Sequence, residues 1–162
     1  MPARFTLIVC ERNNDWVVPL RLALADAAPR SAMTANDRFS SPLVAGVNYR
    51  LVETRNSDDC LAALAEEPLA VVALQLSPSN CDQALSLLRT IAERYPAART
   101  VVLAAREAVE YQWLARELGA TGFVSSPRQL QEFLLIARRH WQSLPQPELG
   151  AAESAWATLP WK

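Results

Sequence analysis

Hydrophobic and polar positions along the chain alternate between two kinds of block. The clearest is Leu69-Ala70-Val71-Val72-Ala73-Leu74-Gln75-Leu76, which is apolar at every position until Gln75 and is closed by Ser77-Pro78. A strand covered on both faces, as at the centre of a parallel sheet, has this pattern. Phe5–Cys10, Tyr49–Thr54, Thr100–Ala105 and the short Thr121–Ser125 read as further strands. Between them, apolar residues recur at helical spacing: Val17, Leu20, Leu24 and Ala27; Leu61 and Leu64; Ala84, Leu87, Leu88 and Ile91; Leu130, Phe133, Leu134 and Ala137.

Local signals set the expected boundaries. Asp15 is placed to cap a helix starting at Trp16, and Ser57 or Asp58 to cap a second one running to Glu66. A third helix is expected over Asn80–Tyr95 and a fourth over Val109–Leu118, with Gly119 as its left-handed cap. The fifth starts at Pro127 and runs to about Ser143, while Pro29, Pro68 and Pro96 stop the first three. Five strand–helix units predict an α/β three-layer sandwich around a five-stranded parallel sheet. Residues 30–46 show no periodicity and many turn formers, so they read as a loop insertion in a domain spanning 1–143. Residues 144–162, with Pro145, Pro147, Pro160, Trp156 and Trp161, read as a C-terminal tail.

Composition narrows the chemistry more than the fold. With 162 residues, one domain with a real core is expected. A net charge of -1 gives no electrostatic footprint for nucleic acid or an anionic membrane surface. No apolar run approaches the roughly 20 residues that span a bilayer. The start of the chain leads into a strand without a signal-peptide pattern, and three cysteines without close pairing suit reduced thiols in a cytoplasmic protein. Lys162 is the only lysine, which removes an internal lysine for a phosphate loop or a Schiff base. His140 is the only histidine, so a histidine-based triad or a multi-histidine metal site has nowhere else to form. The four glycines form no phosphate-cradling cluster. No cofactor and no enzymatic activity are expected.

Over roughly residues 4–143 the chain resembles the receiver domain of bacterial response regulators. The residues that carry the likeness are Ile8-Val9-Cys10-Glu11, Leu74-Gln75-Leu76-Ser77-Pro78, Val102-Leu103-Ala104-Ala105 and, most specifically, Gly119-Ala120-Thr121-Gly122-Phe123-Val124-Ser125-Ser126-Pro127. The resemblance implies a flavodoxin-like sheet of order 2-1-3-4-5. It also implies a phospho-accepting aspartate at the place of Gln75, paired metal-binding acids at Cys10 and Glu11, a hydroxyl at Ala104 and a lysine at Ser126. Four of these five positions depart from the pattern. An amide cannot form an acyl phosphate, and one remaining carboxylate offers too few oxygens for Mg²⁺. These substitutions describe a pseudo-receiver with a vestigial pocket at Cys10, Glu11, Gln75, Ala104 and Ser126.

Several residues have a packing role to weigh against a functional one. Cys10 is read as a small buried core residue, because the neighbouring Glu11 opposes a thiolate. Gln75 reads as a neutral plug or as drift, and Trp16 as structural. For His140 a phosphotransfer role is weighed against a bland place at a helix end, where its basic neighbours Arg138 and Arg139 interact with the helix dipole. Tyr111, Trp113 and Phe123, the last at the family's aromatic switch position, mark the face that receivers use for dimers and outputs. Trp156 and Trp161 are large rings expected to dock on something. The expectation is a phosphorylation-independent interaction module with a protein partner or a second copy on its fourth helix, fifth strand, fifth helix and tail. The alternative is a small-molecule sensor using the vestigial pocket.

Overall fold

The computed structural model describes residues 5–27 and 49–145. The insertion expected at 30–46, and Trp156 and Trp161 of the tail, lie outside these residues. Five strands, β1 (Phe5–Cys10), β2 (Tyr49–Thr54), β3 (Val71–Leu76), β4 (Arg99–Ala104) and β5 (Gly122–Val124), form one parallel sheet in the order β2-β1-β3-β4-β5. The helices between and after them are α1 (Val17–Ala27), α2 (Ser57–Glu66), α3 (Cys81–Arg94), α4 (Gln112–Glu117) and α5 (Leu130–Ser143). Short 3-10 turns, Arg106–Tyr111 and Pro127–Gln129, lead into α4 and α5.

Side chains alternate across each strand, so the sheet feeds two separate cores. Ile8, Val72, Leu74, Leu76 and Val102 pack with α2, α3 and α4 on one side. Leu7, Val9, Val71, Val101, Leu103 and Val124 pack with α1 and α5 on the other. All six residues of β1 and of β3 are buried, as central strands of a doubly covered sheet require. Each buried aliphatic side chain contributes about 1.5–3 kcal/mol, so the two cores supply most of the drive to fold.

Two expected caps are wrong. Asp15 accepts a bond from the Asn13 side chain, and the first amides of α1 are held instead by Glu11. Helix α2 is capped by Asn56, whose Oδ1 accepts from the Asp59 N–H at 2.8 Å, not by Ser57 or Asp58. The expected fourth helix is divided: its first part winds as the 3-10 turn that contains Tyr111, and only Gln112–Glu117 is α-helical. Gly119 does close it, with φ of +107°. A Cβ there would lie 2.7 Å from the Ala92 Cβ, so both the backbone and the packing against α3 require glycine.

Candidate functional site

The carboxyl ends of β1 and β3 lie side by side, at the point where the strand order reverses and open α/β sheets place their sites. Glu11, the first residue past β1, is 4% exposed. Its Oε2 accepts from the Trp16 N–H at 2.9 Å and its Oε1 from the Val17 N–H at 2.8 Å. Both carboxylate oxygens are thus committed to the start of α1, where the helix dipole also favours a negative charge. Gln75, next to last in β3, is 6% exposed, and its Oε1 accepts the Arg12 N–H at 3.0 Å. The amide ties the β1–α1 loop to the central strand.

The surrounding loops are cross-tied in the same way. The Asn80 side chain donates to the Gln75 carbonyl at 3.1 Å and accepts from the Ser77 N–H at 2.7 Å, which folds the β3–α3 loop back on its strand. Arg12 donates to the Gln83 side chain on α3. Arg55 reaches the Glu11 carbonyl at 3.4 Å and lies 4.0 Å from a Glu53 carboxylate oxygen. These groups wall a cavity of about 330 Å³ whose lining includes Cys10, Glu11, Arg12, Arg55, Gln75 and Gln83.

Cys10 ends β1, opposite Thr54 of β2. Its thiol donates to the Asn56 carbonyl, with sulfur and oxygen 3.6 Å apart. The adjacent Cys60 thiol, with Thr54 and the charge of Arg12, holds the Cys10 thiol below its ordinary value, against burial and the Asp59 carboxylate. The Cys10 thiol and burial push Cys60, which is fully buried in α2, above the ordinary thiol range. Sequence reasoning missed this pair because fifty positions separate the two cysteines. The signal was topological: β1 pairs with β2, and α2 follows β2 directly.

The structure therefore brings three of the five vestigial-pocket residues, Cys10, Glu11 and Gln75, around one cavity. Ala104 and Ser126 are not in its lining. Ala104 is fully buried in the core beneath α2, α3 and α4. Ser126 caps the turn before α5, its Oγ accepting from the Arg128 N–H at 3.3 Å. Trp16 packs in the α1–α5 core and does not cover the cavity. Among the described residues no group of three or more His, Cys, Asp or Glu side chains is placed to hold a metal ion.

At the β5 edge of the sheet, Phe123 is turned into the core and Tyr111 is half-buried against it. The Cys81 thiol raises the Tyr111 hydroxyl above its ordinary value. Trp113 projects from α4 with 71% of its surface exposed, with Leu114 beside it in sequence and Leu135 on α5 also exposed. His140 departs from expectation. It is buried, with Nε2 2.7 Å from the Leu69 carbonyl at the approach to β3. Burial and the charge of Arg99 lower its pKa, against the pull of that carbonyl, which disfavours a cation at this end of the helix.

The sheet order and the placement of the strand ends are those of the receiver fold of response regulators. Among solved structures, a response regulator from Thermotoga maritima superposes with a TM-score of 0.63 at 16% identity, covering 87% of this chain and 100% of that one. The receiver domain of NtrX from Brucella abortus gives 0.61 at 19% identity, with 85% and 99% covered. A CheY-like receiver domain protein from Methanospirillum hungatei gives 0.60 at 10%, with 88% and 100% covered. At these identities the likeness is one of fold. No family model and no curated protein matches the chain. No described helix is long and apolar enough to cross a membrane.

Proposed function

We propose that this chain is a pseudo-receiver, a phosphorylation-independent module that acts in bacterial signal transduction by binding another protein or a second copy of itself. The observation that carries the reading is the internal satisfaction of Glu11 and Gln75. At the place of the phospho-acceptor stands an amide whose oxygen already holds the Arg12 amide. The one acid beside it spends both oxygens on α1. Acyl-phosphate formation needs a carboxylate nucleophile and a hard cation with several free oxygen ligands, and neither requirement is met by these groups.

The binding surface in this reading is α4, β5 and α5, centred on Trp113 with Leu114 and Leu135. Exposed tryptophan is enriched among residues that dominate interfaces. Residues 30–46 and the tail, with Trp156 and Trp161, add contacts. The module works in the cytoplasm, without a cofactor and without enzymatic activity of its own.

The full-length chain, and separately Gln75→Asp, would be incubated with acetyl phosphate and Mg²⁺ and their intact masses measured. Neither should gain a phosphoryl group, because restoring the acceptor alone leaves Cys10 and Ser126 in place of an acid and a lysine. Phosphorylation of either protein overturns the reading. A second reading, a small-molecule sensor, is favoured by the polar lining of the 330 Å³ cavity. Saturable thermal stabilisation by a metabolite, lost in Arg12→Ala, would support it.

A further inference from the structure

We propose that Cys10 and Cys60 form a modification site for peroxides, in which Cys10 meets the oxidant in the cavity and Cys60 resolves it to a disulfide. The site stands on placement. Cys10 lines the cavity beside β1 and β3, where a molecule as small as hydrogen peroxide has room. Cys60 is fully buried immediately behind it: the Asn56 carbonyl accepts from both the Cys10 thiol, at 3.6 Å, and the Cys60 N–H, at 3.2 Å, and the two side chains belong to one core cluster. Cys10 lines the cavity and keeps 7% of its surface open, whereas Cys60 has none, so an oxidant small enough to enter meets Cys10 first.

The neighbouring carboxylate, Glu11, is turned to the Trp16 and Val17 amides, which share its negative charge. The Arg12 guanidinium favours charge on the Cys10 sulfur, against burial and the Asp59 carboxylate. The third cysteine, Cys81, stands at the start of α3, where it and Tyr111 pack against the same core.

The chemistry balances with peroxide as the oxidant. The Cys10 thiolate attacks one peroxide oxygen; an S–O bond forms, the O–O bond breaks, and the departing hydroxide takes a proton and leaves as water. Cys10 is then a sulfenic acid. Cys60 gives up its proton as its sulfur attacks that of Cys10; the S–S bond forms, the S–O bond breaks, and a second water departs. Two thiols and one peroxide become one disulfide and two waters, with two electrons passed from sulfur to oxygen. The bond ties the end of β1 to α2 across the cavity wall.

The test uses the reduced full-length chain with stoichiometric hydrogen peroxide. Intact mass should fall by two hydrogens, and a Cys10–Cys60 link should appear after combined cleavage at arginine and glutamate, which separates Cys60 from Cys81. In Cys60→Ser, dimedone should trap a sulfenic acid on Cys10. In Cys10→Ser, no intramolecular link should form. Because serine in a fully buried site costs stability, iodoacetamide alkylation of the unsubstituted chain against pH gives an independent reading. Cys10 should reach half its maximal rate at a lower pH than the roughly 8.5 of an ordinary thiol. A link to Cys81, a link only between chains, or a Cys10 that alkylates like an ordinary thiol overturns the proposal.

Discussion

The two halves of the sheet's carboxyl edge differ in how their polar groups have been dealt with. On the β1–β3 side the polar residues remain and are turned inward on one another: Glu11 on α1, Gln75 on the Arg12 amide, Asn80 on its own loop. On the β4–β5 side polar side chains are lacking or lie at the rim. Ala104 is plain core, and Ser126 caps a turn. Internal satisfaction of polar groups leaves a cavity with polar walls, whereas their absence leaves packed carbon.

The difference can be broken experimentally, beginning with the largest effect. Glu11→Ala strips two buried amides of a charged acceptor, so about 3 kcal/mol should be lost in urea denaturation, with Glu11→Gln losing clearly less. If Glu11→Ala unfolds at the same urea concentration as the unsubstituted chain, the clamp is not a clamp. Ala104→Thr should cost about 1–3 kcal/mol through overpacking and an unpaired hydroxyl, with no gain of Mg²⁺ affinity by calorimetry.

A smaller effect should follow pH. The folded pKa of His140 lies below its unfolded value of about 6.5, because burial disfavours the cation. As pH falls through that unfolded value, the unfolded chain takes up a proton that the folded chain refuses. Stability is therefore full above about pH 6.5 and declines below it until the folded pKa is reached. His140→Gln should flatten this part of the urea-midpoint profile relative to the unsubstituted chain. Smallest of all in stability, Trp113→Ala should change unfolding by less than about 0.5 kcal/mol, since the ring is mostly in water. Its effect should appear in association: any dimer seen by light scattering, or partner captured by cross-linking, should weaken.

Much of this was legible before any coordinates. Apolar blocks such as Val71–Leu76 mark buried strands because a doubly covered sheet leaves no face for polar side chains, and the five-unit order and its two layers follow. That Gln75 and Ser126 carry no charge and Ala104 no hydroxyl could also be read from residue type alone. What could not be read was pairing at a distance. Asp15 has the right type and position for a cap, yet the amides of α1 are held by a residue from the strand end, five and six positions before them. Cys10 and Cys60 meet only because β2 lies against β1. His140 has arginines as chain neighbours, and its real partner is a carbonyl on another element. Spacing rules describe one helix or strand at a time, and these three contacts each cross between elements.

The Glu11 clamp makes the start of α1 depend on the strand before it. Helix α1 has no acidic residue in its own first turn, and its proline falls at the third position, so little within the helix itself fixes where it begins. That information is held by a side chain whose own position depends on β1 being paired on both sides. The first amides of α1 are therefore fully held only when β1 is docked between β2 and β3, so anything that loosens the strand also frays the helix that follows it.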